Sequence, residues 1–178
     1  RAGVETVYKC GGAVAVAAAA FGTETIPRCM KIVGPGSPWL VAAKQQLAGL
    51  IDTGLPAGPS ESIVLADGTA DPDLAAMDLL IESEHGDDSS AYLVTDSRAV
   101  AEAARARIPE LWGEMGAQRA GFSEAVLTGP RGGIVLAPSM ADAIAFVNDY
   151  APEHLQIVGD DPHRYLDDVV NEIGRAHV

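Results

Sequence analysis

Two short stretches of this chain place carboxylates and imidazoles where they can act together. In DLLIESEHG, Glu82 and His85 stand three residues apart, and Asp78 lies one turn before Glu82. On a helix that spacing puts the three on one face. A carboxylate and an imidazole so arranged can share a divalent cation, with zinc the first choice for mixed oxygen and nitrogen donors. The pair supplies half of a four-donor sphere, and it fits equally a solvated acidic helix end with a histidine near the C-terminal dipole. In DYAPEHLQI, Glu153 and His154 are neighbours at the start of an apolar strand. An imidazole titrating near neutrality can take and return protons, and a carboxylate beside it can activate water. The same two side chains also suit a loop in which they only cap neighbouring backbone groups.

Two turns add to these. AGPSE (residues 57–61) can aim backbone N–H groups and the hydroxyl of Ser60 at a ligand, although most such turns are connectors. KIVGPGSPW (residues 31–39) reads as strand, Gly-rich turn and helix N-terminus, an arrangement that binds pyrophosphate. Neither it nor GPRGG (residues 129–133) is a G-x-G-x-x-G, so the dinucleotide signal by fingerprint is weak.

These residues need a frame, and the pattern of the chain predicts one. Strands are expected at VYKC (7–10), KIV (31–33), SIVLAD (62–67), AYLVTD (91–96), GIVLAP (133–138) and HLQIV (154–158). Helices are expected between them: an Ala-rich one ending at Phe21, then 40–50, and one opened by Asp71-Pro72 and ending near Gly86. Others follow at SRAVAEAARARI capped by Asp96, from Pro109 to about Leu127, at SMADAIAFVNDY, and last at DPHRYLDDVVNEI. Alternation at this spacing means an α/β fold with mainly parallel sheets flanked by helices. The Pro- and Gly-rich segment TGLPAGPSES (53–62) reads as a functional loop or a crossing between two lobes, which divides the chain into residues 1–55 and 56–178.

Composition narrows the function. The 178 residues carry 25 acidic against 12 basic side chains, a formal charge of -13, and the basic ones are scattered. Nucleic acid is therefore not an expected partner. The longest apolar run, residues 13–21, is too short to span a bilayer. Cys10 and Cys29 make neither a disulfide framework nor a metal pattern; they read as small buried residues in a reducing cytoplasm. The start at Arg1 and the stop at GRAHV after a helical run read as cuts through a longer protein.

Taken in order, VYKCGGAVAVAAAAFGTETIPRCMKIVGPG, LPAGPSESIVLAD, DLLIESEHG and APEHLQI resemble histidinol dehydrogenase over almost the whole chain. The most specific pieces are AGPSE, the EH-ending helix at a fixed distance after it, and PEHL. The resemblance implies a Rossmann-like fold in two lobes, incomplete here. The first lobe would be the NAD side and the second would carry the zinc and acid–base residues. It implies a homodimeric, zinc-dependent cytoplasmic enzyme of histidine biosynthesis that uses two NAD to oxidise L-histidinol through an aldehyde to L-histidine.

Carried over by position, His154 would be the general base and Glu153 would activate water. Ser60 would contact substrate, Glu82 and His85 would bind zinc and substrate, and Pro35 and Ser37 would meet NAD. The chain also departs from the family pattern. Glu82 replaces a glutamine ligand, Ser37 an asparagine, and Val14 a glutamine that contacts NAD. Two further zinc ligands of the family fall beyond Val178, so this piece alone is expected to be inactive. A same-family dehydrogenase for another small polar alcohol, such as a sulfopropanediol, is a second reading. A third is a silent fragment or binding module that keeps only the fold.

Overall fold

In the computed structural model, residues 3–54, 58–172 and the backbone of 175–177 are described. The chain divides into two compact units, Arg1–Gly58 and Pro59–Val178.

The first unit holds helices α1 (Gly12–Phe21) and α2 (Pro38–Leu47), packed on each other through buried Val16 and Ala20 and the half-buried face of α2. The expected strands at 7–10 and 31–33 are absent. Val7 is 81% exposed and unpaired, and Lys31 makes a single parallel bridge to Asp52. A β-branched run becomes a strand only where a second strand accepts its backbone groups. Among the described residues of this unit none does so beyond that bridge. Cys10 is exposed and Cys29 half-buried, so neither is the buried residue its type suggests.

The second unit is built on five parallel strands: β1 (Glu61–Ala66), β2 (Ser90–Thr95), β3 (Gly132–Leu136), β4 (His154–Val158) and β5 (Arg175–His177). Their order is β3-β2-β1-β4-β5. The chain grows outward from β1 to β3, then crosses back to lay β4 on the other side of β1. The switch point of a doubly wound sheet therefore falls between β1 and β4.

Both faces are covered, which is why the strands read as nearly continuous apolar runs. Alternation along β1 sends Val64 and Ala66 to one face, where α3 (Pro72–Ser83), α4 (Arg98–Glu114) and α5 (Ala117–Leu127) supply Leu79, Ile108 and Val126. Ile63 and Leu65 go to the other, against Ala143 and Val147 of α6 (Met140–Tyr150) and Tyr165 of a 3₁₀ helix (Pro162–Asp168). The last segment thus forms 3₁₀ turns where an α-helix is expected, and Ile173 at its end lies outside the described residues.

Helix ends follow capping chemistry with one correction. The Asp71 side chain accepts from the Asp73 N–H and starts α3, as the sequence suggests. The cap of α4 is Ser97 rather than Asp96, its hydroxyl accepting from the Val100 N–H. Ser97→Ala is expected to cost about 1 kcal/mol in chemical denaturation. Asp96→Ala should leave the midpoint nearly unchanged. Helix α4 also runs through Pro109 instead of breaking there. Ile108 and Leu111 are buried on either side of it, and that packing offsets the lost backbone hydrogen bond.

Candidate active site

The start of β1 and the start of β4 lie side by side, with Ser62 the register partner of His154. Leu155 and Ile157 face α6, so alternation turns His154 and Gln156 to the opposite face, shared with Ser62 and Val64. Helix α3 packs over that face and presents Asp78, Ile81 and Glu82 at i, i+3 and i+4. These side chains enclose a cavity of about 180 Å³ lined by Ser62, Asp78, Glu82, His154 and Gln156 with apolar neighbours. Burial pushes the Asp78 carboxyl pKa upward.

The cavity lies beside the first residues of β1 and β4. Ligands in doubly wound sheets usually gather at the carboxyl ends. In this unit the carboxyl end of β1 carries a polar clamp. Asp67, which follows β1 and is buried, accepts from the Thr69 N–H at 2.8 Å and the Thr69 hydroxyl at 2.6 Å. The Tyr165 hydroxyl donates to it at 2.9 Å and the Arg164 guanidinium at 3.0 Å. Gly159 passes so close that a Cβ there would sit 2.7 Å from the carboxylate, and only glycine allows the approach.

The remaining expected site residues fall around or apart from the cavity. Glu153 lies outside its lining, with its carboxylate 3.8 Å from His154 Nε2. His85 follows the end of α3 and is not part of the lining, but its Nδ1 is 3.8 Å from Glu82 Oε2. Two donors at that separation can reach one zinc ion at ordinary bond lengths, so the pair fits half of a coordination sphere. Among the described residues no three His, Cys, Asp or Glu side chains come together to hold a metal. Ser60 precedes β1, where its carbonyl accepts from the Ser90 N–H; Ala57 of the same AGPSE turn lies outside the described residues.

Pro35 and Ser37 are exposed in the first unit, at the turn before α2. Buried Lys44 ties that turn to the helix by donating to the Gly34 carbonyl at 2.5 Å. The sequence reading missed Lys44, Ser62 and Gln156. The available signal for Ser62 was a hydroxyl standing at the first inward position of an otherwise apolar strand.

The family model for histidinol dehydrogenase matches residues 1–175. The chain belongs to the histidinol dehydrogenase family. A histidinol dehydrogenase homolog of Cereibacter sphaeroides is 67% identical over 93% of this chain and 37% of its own length. A histidinol dehydrogenase of Synechocystis is 51% identical over 96% of this chain and 39% of its own. The crystal structure of histidinol dehydrogenase from Elizabethkingia anophelis superposes with a TM-score of 0.86 at 34% identity, covering 98% of this chain and 40% of that one. The chain thus spans about two-fifths of the length of these histidinol dehydrogenase family members. No helix among the described residues is long and apolar enough to cross a membrane.

Proposed function

We propose that the protein is an NAD-dependent dehydrogenase that oxidises a small polar alcohol through an aldehyde to the acid, with L-histidinol to L-histidine as the first reading. The observation that carries this is the pairing of His154 with Glu82 across one cavity, with Glu153 3.8 Å from the imidazole.

In this reading His154 takes the alcohol proton while the carbinol hydride passes to the nicotinamide, leaving an aldehyde. Glu153 then draws a proton from water as it adds to the aldehyde carbon, and a second hydride leaves to a second NAD. Glu82 and His85 would hold zinc together with ligands from elsewhere in the protein; bound there, it would make the alcohol more acidic. Pro35 and Ser37 would contact the cofactor, Ser60 would contact substrate, and the first unit would be part of the NAD lobe. The full protein would be a cytoplasmic homodimer.

A second reading keeps the chemistry and changes the substrate to another small polar alcohol, such as a sulfopropanediol. It is favoured by Glu82, whose carboxylate stands where the family pattern has a neutral glutamine, and by the Cereibacter sphaeroides relative being named a homolog of histidinol dehydrogenase.

Initial rates of NADH formation with L-histidinol and with a sulfopropanediol, on the protein as its gene encodes it, decide between them. Turnover of L-histidinol with two NADH per acid is the expected result, abolished by a chelator and restored by zinc. Absence of NADH formation with every amino and sulfo alcohol would overturn both readings.

A further inference from the structure

The last turn of α3 carries Glu82 and leads into His85, and a chain of buried hydroxyls holds that turn from behind. Ser83 ends α3 and, like Ser123 of α5, is fully buried. Their hydroxyl oxygens are 2.7 Å apart. The Trp112 indole N–H of α4 donates to Ser123 Oγ at 2.9 Å, and Ser83 Oγ lies 3.2 Å from the Leu80 carbonyl. An indole N–H only donates, so Ser123 accepts there. The assignment that uses every proton then runs from Trp112 to Ser123, from Ser123 to Ser83, and from Ser83 to the Leu80 carbonyl. That carbonyl also accepts the Glu84 N–H at 3.1 Å, which closes the helix.

Helix α5 grips the same turn a second time. Arg119, four residues before Ser123, pairs with Glu84. Residues 83 and 84 are thus tied to one face of α5, while Glu82, one position earlier, lines the cavity with His154. Two alanines at 83 and 123 would pack without any polar group to satisfy. What a fully satisfied buried chain adds is rigidity, one roll of α3 about its axis rather than several. A roll of about 10° at the roughly 5–6 Å radius of a helix with its side chains would move the Glu82 carboxylate by about 1 Å, several times the ~0.2 Å tolerance of a metal–ligand bond.

We propose that Ser123 and Trp112 are positioning residues: through Ser83 they fix the turn of α3 that carries Glu82 and His85, and so set the affinity of that pair for a divalent cation. The proposal rests on the dehydrogenase reading for the cation, whereas the fixing of the turn is measurable without it.

The test uses the protein as its gene encodes it, stripped of metal and titrated with zinc in competition with a chromophoric chelator. Trp112→Phe keeps the aromatic bulk and removes the N–H; Ser123→Ala removes the hydroxyl. Each is measured at a temperature where dichroism shows it fully folded. Both should bind zinc about tenfold more weakly than wild type, the low end of what losing a ligand-orienting group costs. Val126→Ala, which loosens the packing of α5 and leaves the hydroxyl chain intact, should melt earlier yet bind zinc within threefold of wild type. Zinc affinity within threefold of wild type in either chain variant overturns the proposal, as does an equal loss in Val126→Ala.

Hydrogen–deuterium exchange of residues 82–85 reads the turn alone, and it should quicken in Trp112→Phe and Ser123→Ala more than in Val126→Ala. If wild type binds no zinc, the metal reading of Glu82 and His85 falls. Faster exchange in both chain variants then still supports the fixing of the turn, and unchanged exchange overturns it.

Discussion

Replacing His154 with glutamine is expected to lower kcat for alcohol oxidation by roughly a hundred- to ten-thousandfold, the range a positioned general base contributes. Glutamine keeps approximate size and polarity at the start of β4 but cannot take a proton near neutral pH. The imidazole is partly exposed and sits at the strand's first residue, while Leu155 and Ile157 carry the packing. The fold should therefore survive, as an unchanged far-ultraviolet dichroism spectrum and melting midpoint would report. KM for the alcohol should move much less than kcat. Added imidazole should restore part of the lost rate, because the cavity beside residue 154 is large enough for a small base. Wild-type turnover by purified, folded His154→Gln protein would remove the imidazole from the chemistry.

The second large effect is on stability. Asp67→Ala is expected to cost about 3 kcal/mol, since it leaves the buried Tyr165 hydroxyl short of its acceptor and frees the loop after β1. Urea denaturation followed by dichroism measures it, and a loss below 1 kcal/mol would show that the clamp is incidental.

The pH dependence has a definite sign. Burial pushes the Asp67 pKa up, but hydrogen bonds from the hydroxyl and N–H of Thr69 and from Tyr165, together with the charge of Arg164, more than compensate and hold it below the usual carboxylate range. A carboxyl group depressed on folding contributes stability above its unfolded pKa, about 3.9, and loses it as pH falls through the lower folded value. The gap between wild type and Asp67→Asn should thus be constant above about pH 5 and shrink below about pH 4. A gap that widens in acid would contradict the assigned network.

Much of the sheet was legible because its code is local. Strands buried on both faces are apolar runs of five or six residues, and each is separated by a helix of opposite periodicity. That is enough to read SIVLAD, AYLVTD, GIVLAP and HLQIV as parallel strands. The same code fails at VYKC and KIV, whose strand character depends on partners that sequence proximity does not supply. It fails again at DPHRYLDDVVNEI. There Tyr165 is drawn to Asp67, 98 positions away, and a 3₁₀ turn delivers it where an α-helix is expected.

The candidate site divides in the same manner. The types and spacing of Glu82, His85, Glu153 and His154, with the helix and strand that carry them, were set by the sequence, since i, i+3 spacing and strand alternation are properties of a few consecutive residues. Tertiary structure alone decided that β4 lies beside β1, because a crossover can return to either side of the first strand. It thereby paired Ser62 with His154 and brought α3 over both. It also placed the cavity beside the amino ends of the strands, and gathered around the carboxylate after β1 partners from distant segments. Long-range placement of this kind follows from how whole faces pack, and no short window of residues encodes it.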